Sequence, residues 1–106
     1  METRTNEPIM VETVALKKGK PDKRVFTATV NDSGDSCQFT LDTNRTFLCR
    51  KRFHIEPGCK VTWGEKSYEI YMMSIYRTGA PSFFAKEIEA DPQSVQELKA
   101  HSHSNR

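Results

Sequence analysis

The feature that most constrains this chain is a two-residue alternation that restarts after each polar break. Over residues 25–30, Phe26, Ala28 and Val30 share one side and Thr27 and Thr29 the other; over 37–42, Cys37, Phe39 and Leu41 oppose Gln38 and Thr40. Period two is the signature of strands with one buried face. The breaks are turn-forming: Lys17-Lys18-Gly19-Lys20-Pro21-Asp22, the polar run 31–36 with Gly34, and Asp42-Thr43-Asn44-Arg45. Glu56-Pro57-Gly58 suits the central positions of a type II turn, because Pro fixes φ near −65° and Gly accepts positive φ. Strands are expected over 9–16, 25–30, 37–42, 59–63, 67–76 and 82–89, with a further short one over 46–49. The last three sit close enough to form an antiparallel meander. The predicted fold is mainly β: a small antiparallel β-barrel or β-sandwich of about six to seven strands.

Asp91 and Pro92 predict a short C-terminal helix, with Asp as N-cap and Pro in the first turn. Val95 and Leu98, three positions apart, give it one docking stripe. Residues 1–8 and 101–106 are polar and read as a flexible N-terminal arm and a disordered tail. The expected organisation is therefore an arm over 1–8, a β domain over 9–90, and a helix with tail over 91–106.

The segment 67–76 is apolar on both faces: Tyr68, Ile70 and Met72 on one, Tyr71, Met73 and Ile75 on the other. A strand apolar on both sides is covered twice. The second cover is either the C-terminal segment or another chain, and in the latter case Tyr71, Met73 and Ile75 form an interface face.

With 106 residues the chain has room for one domain. Sixteen Lys and Arg against 14 Asp and Glu leave a net charge of +2, which points to neither a polyanion coat nor an acidic decoy. No stretch approaches the roughly 18 apolar residues of a membrane span, so no membrane partner is expected. The first residues lack an apolar signal core, and the three cysteines (Cys37, Cys49, Cys59) show no C-x-x-C spacing. Reduced thiols are the simplest expectation, in the cytoplasm or in a particle assembled there.

Signals for chemistry are poor. The sequence holds no G-x-S-x-G, H-E-x-x-H or P-loop pattern. His101 and His103 fall in the tail, and His54 belongs on a polar face, where a surface or structural role is expected. Cys49, His54 and Cys59, with Cys37, lack the close ligand pairs of structural zinc sites. No catalytic residue, metal, cofactor or small-molecule substrate is expected. A basic stretch stands out: residues 45–60 carry Arg45, Arg50, Lys51, Arg52 and Lys60 against one acid, Glu56, with Phe47 and Phe53 flanking the triplet. Such a stretch is a solvated loop, a phosphate contact, or a salt-bridging face for a partner protein.

The run from Phe53 to Ile70 resembles the small head-completion and head–tail joining (stopper or adaptor) proteins of long-tailed bacteriophages. These carry a short apolar strand, Pro or Arg before Gly, a polar residue, Val-x-apolar, a Gly turn, then an aromatic-x-Ile/Val pair. Ile55, Pro57, Gly58, Val61, Trp63, Gly64, Tyr68 and Ile70 fall on that pattern. The match spans roughly 37–90, with Cys59 where an acid is usual, and with the strand-like 9–16 where some members have a helix. The resemblance implies a structural virion protein: a homo-oligomeric ring between portal or adaptor and tail proteins, acting by contact, with a loop that can close the DNA channel. It further implies that Arg45, Arg50, Lys51 and Arg52 face channel DNA or an acidic rim, and that Asp32, Ser33, Gly34 and Asp35 are a candidate channel or interface loop. The alternative from a different class is a small nucleic-acid-binding β-barrel using the Arg45 to Lys60 region.

Overall fold

A computed structural model describes residues 2–14, 19–75 and 79–104. In chain order its elements are β1 (Glu2–Glu12), β2 (Lys23–Asp32), β3 (Ser36–Leu41), α1 (Arg45–Arg50), β4 (Lys60–Trp63), β5 (Lys66–Ile75), β6 (Pro81–Ile88) and α2 (Pro92–Ser104). The strands close into a barrel in the order β1-β2-β3-β6-β5-β4, with every neighbouring pair antiparallel. The mainly β architecture expected from the alternation is thus a closed six-strand barrel with a short C-terminal helix.

Two meanders, β1-β2-β3 and β4-β5-β6, build it, as the close spacing of the last strands predicts. β3 and β4 lie on opposite sides of the ring, so the chain between them must cross one end. Its apolar residues Leu48, Phe53 and Cys59 drop into the core beneath the crossing. There they join Ile9, Val11, Phe39, Val61, Tyr68, Ile70 and Phe83, all essentially inaccessible. Phe39 sits centrally, with the rings of Tyr68, Phe83 and Trp63 at 5.6, 5.8 and 6.2 Å.

Closure explains one departure from expectation. Residues 46–49, expected as a short strand, belong to the helix α1. A closed barrel leaves this crossing segment no strand edge to pair with, and a helix satisfies its backbone groups locally. A second correction concerns the N-terminus: residues 2–8 are not a flexible arm but the first part of β1. Glu2, Thr3 and Arg4 pair with Asp32, Asn31 and Val30, and the Thr3 hydroxyl donates to Asn31 Oδ1 at 2.7 Å. Their side chains are exposed, so the pairing rests on backbone bonds and leaves no apolar pattern. The expected strand end at 15–16 lies outside the described residues, as does part of the Lys17–Asp22 turn.

β5 holds the third correction. Ile70 pairs with Ala85 and Met72 with Phe84, so Tyr71 is an extra residue, a β-bulge. The bulge shifts the side-chain phase. Tyr68 and Ile70 point inward, as does Met73 opposite Phe83, whereas Tyr71 and Met72 are 44% and 49% exposed. The strand therefore has one buried face carried through a phase change, not two covered faces. Met72 leaves the side it was expected to share with Tyr68, and Met73 leaves Tyr71's; the Ile75 side chain lies outside the described residues.

α2 packs on β1 and β4, burying Val95 and Leu98. Met10 and Thr62 alternate away from the core cluster yet are buried, because α2 covers that wall. Asp91 caps it, accepting the Gln93 N–H at 3.1 Å and the Ser94 hydroxyl at 3.0 Å, while its own N–H donates to Ser67 Oγ. Lys23 ties the helix to β2 through Glu97 at 2.8 Å. The helix runs on through Ser104, where a disordered tail was expected from residue 101.

Two outcomes test this frame. Met73→Ala should cost about 1–2 kcal/mol by removing half-buried packing against the core, and Met72→Ala no more than about 0.5 kcal/mol, in denaturant unfolding. Asp91→Ala should cost about 1 kcal/mol. The Ser94 hydroxyl, foremost, and the helix N–H groups hold the Asp91 carboxyl below its ordinary range. That stability is present above the unfolded value and is lost as pH falls through the folded one, so the wild-type advantage over Asp91→Ala should shrink below about pH 4.

Candidate functional site

The crossing segment carries the basic stretch, and its local geometry fixes where each cation stands. Asn44 is the N-cap of α1, accepting the Phe47 N–H at 2.9 Å. The Arg45 N–H donates to Gly79 O at 2.9 Å, tying the helix to the chain entering β6. The helix stops in a Schellman arrangement: Phe53 N–H donates to Leu48 O at 3.0 Å and Arg52 N–H to Cys49 O at 3.1 Å. Leu48 and Phe53, the apolar pair that accompanies this motif, are both buried. Arg52 occupies its left-handed position with φ +55°, where glycine is the usual occupant.

Arg45, Arg50, Lys51 and Arg52 are all exposed, and among the described residues none has a carboxylate partner. Elsewhere Arg4, Lys23, Arg24, Lys66 and Lys99 are each within 4 Å of an acid. Lys51 instead lies over the ring of Phe47, 5.7 Å from its centroid, and that ring is itself 42% exposed. Phe53, the other flanking aromatic, is a core residue, edge-on to Phe26 at 5.3 Å with the Arg24 guanidinium over its ring.

Beside α1 opens a cleft of about 510 Å³. Its floor is apolar: Leu48, Phe53 and Pro81 are buried, Ile55 and Met73 half-buried. Exposed Arg45, Cys49, Arg52 and His54 make the rim, and no Asp or Glu lines it among the described residues. His54 is exposed as expected, with Glu56 3.7 Å away. The turn between them and β4 forms as read, with Gly58 at φ +101° and Cys59 N–H donating to Glu56 O.

The second expected site lies elsewhere. Asp32, Ser33, Gly34 and Asp35 close the β2–β3 hairpin, at the barrel end opposite α1. Asp32 Oδ1 accepts the Gly34 N–H at 2.8 Å, Ser33 N–H donates to Ser36 O, and Asp35 O accepts the Glu87 N–H at 2.8 Å. It is a short tied turn. Tyr71 lies on the outer wall of β5, its ring 6.4 Å from Phe84, its hydroxyl 3.3 Å from Ser36 Oγ and Lys86 Nζ over its face. The cations thus lie apart from the hairpin, whereas the outer wall adjoins the hairpin through Tyr71 and Ser36.

Sequence reasoning missed the cleft, whose parts come from α1, the segment after it, β5 and β6. The spacing of Leu48 and Phe53 across a basic triplet was the one local signal. Cys37 and Cys59 are buried, and burial pushes the Cys37 thiol up to about 11 and raises that of Cys59 as well. Among the described residues no group of three or more His, Cys, Asp or Glu is placed to hold a metal. Comparison with protein-family models, curated proteins and solved structures finds no match for the chain.

A left-handed conformation costs a non-glycine residue about 1–2 kcal/mol, partly offset in a glycine variant by greater unfolded-state freedom. Arg52→Gly should therefore raise stability by about 0.5–1 kcal/mol in chemical denaturation. A loss of stability would show that the Arg52 side chain is structural.

Proposed function

We propose that this protein is a contact module of a larger assembly, of the kind the head–tail connector resemblance implies, and that it docks the α1 end of its barrel on an anionic partner. The observation that carries this reading is the set of four exposed cations, Arg45, Arg50, Lys51 and Arg52, that have no carboxylate partner among the described residues. Exposed charges left uncompensated create a local field that neighbouring acids would otherwise cancel. In a ring of copies the same cations recur around the axis, facing packaged DNA or an acidic rim of the adjoining portal, adaptor or tail component. The outward pair Tyr71 and Met72 supports lateral contact between copies, since apolar groups on a barrel wall gain by being covered.

A second reading, a free single-strand-binding barrel, draws on Phe47, an exposed ring beside Lys51 on which a base can stack. The two separate by mass and by salt. Native mass measurement over rising concentration should give a closed oligomer, and Met72→Glu should return it to monomer. The oligomer should bind duplex DNA or heparin with a salt slope that falls by about three when Arg50, Lys51 and Arg52 are all changed to Ser. A chain that stays monomeric and prefers oligothymidylate to duplex favours the second reading; one with no affinity for any polyanion at low salt sinks both.

A further inference from the structure

The cleft beside α1 has a chemistry that a phosphate backbone does not use. Among the described residues its floor is apolar rather than aromatic: Phe53 is 4% exposed, and the exposed ring of His54 stands on the rim rather than over the floor. What it offers is a socket between Leu48, Ile55, Met73 and Pro81, with the guanidinium groups of Arg45 and Arg52 at its edge. Its volume of about 510 Å³ is within the size range of pockets that enclose a ligand. An apolar anchor site ringed by charge is the pattern by which one protein seizes a side chain of another. The sign of the ring is uniform, because no carboxylate lines the cleft among the described residues.

We infer that the cleft docks a protein segment with an apolar centre and acidic flanks: a Leu, Ile or Phe side chain enters against Met73 and Ile55 while neighbouring carboxylates meet Arg45 and Arg52. This rests on the reading of the α1 end as the contact surface and narrows its anionic partner to protein. Charge complementarity selects acids at the flanks, and the apolar floor selects the centre. Neither feature alone would do so: a bare basic patch accepts any polyanion, and a bare apolar dent accepts any side chain. The left-handed Arg52 is consistent with this, since the chain places a long cation on the rim where glycine would be the relaxed residue.

Cys49 provides a test that leaves the sequence intact. It is exposed on the rim, whereas Cys37 and Cys59 are buried, so a maleimide should label it selectively. The probe is a short fluorescein-labelled peptide with Leu-Phe-Leu between paired carboxylates, followed by anisotropy beside oligothymidylate and duplex DNA. Replacing Leu-Phe-Leu by serines should weaken binding about tenfold or more, about 1.4 kcal/mol. Alkylating Cys49 with N-ethylmaleimide should weaken it comparably with the circular dichroism unchanged, as should Arg45→Ser combined with Arg52→Gly. Equal binding of the serine peptide, indifference to alkylation, or no peptide binding at millimolar concentration overturns the inference. If DNA binds with steep salt dependence while the peptide does not, the contact surface stands and the protein segment falls; if neither binds, both fall.

Discussion

Closure of the barrel through β1 and β4 is the constraint on which the rest depends. The seam is short: Met10, Val11 and Glu12 pair with Thr62, Val61 and Lys60. Once it forms, every strand in the ring has two neighbours, and the chain leaving β3 must reach the opposite wall without a sheet edge to follow. That necessity produces α1, its Schellman stop, and the burial of Leu48 and Phe53 as a plug. It also explains the position of α2, which lies across the two strands that meet at the seam. The helix therefore reinforces the joint where the ladder is shortest, with Lys23–Glu97 and the Asp91 cap setting its angle.

Much of this was legible in the sequence, and the parts that were not share a cause. Alternation in 25–30 and 37–42 marked β2 and β3 because one face of each is buried and the other is not. Asp91-Pro92 marked the start of α2 because cap chemistry is local. What failed were inferences in which a residue's partner is distant. Residues 2–8 looked disordered because their side chains are polar, but a hairpin extension is held by backbone groups that composition does not report. Residues 46–49 were expected as a short strand after the polar break at 42–45, while the absence of any edge to join is a property of the finished ring. Tyr71 is the sharpest case. One extra residue in β5 turns a single buried face into the appearance of two, and only the pairing with β6 reveals it.

The candidate site follows the same logic. Its cations were visible as a run, since they are adjacent in the chain; the apolar floor was not, since Met73 and Pro81 arrive from strands far along the sequence. What could not be read from charge counting is that, among the described residues, these four cations have no carboxylate partner while Arg4, Lys23, Arg24, Lys66 and Lys99 each have one. A balanced composition conceals this, because a net of +2 can be spread evenly or separated. Here it is separated. The opposite end of the barrel holds Glu2, Glu7, Asp32, Asp35, Glu65 and Glu87, partly offset by Arg4, Lys66, Lys86 and Lys99.

A domain charged in this way is oriented by an external field more than it is drawn by it. At a surface of phosphates or carboxylates the α1 end is attracted and the far end repelled, so the barrel axis is set before any short-range contact forms. Orientation is of use only if the leading end can then make a specific contact. The features that provide one, an apolar socket and an uncompensated rim, are both on the crossing segment. The element that closure forced into existence is thus the one best placed to meet a partner, and the strain at Arg52 sits at its stop, where rim charge and helix termination compete for the same residue.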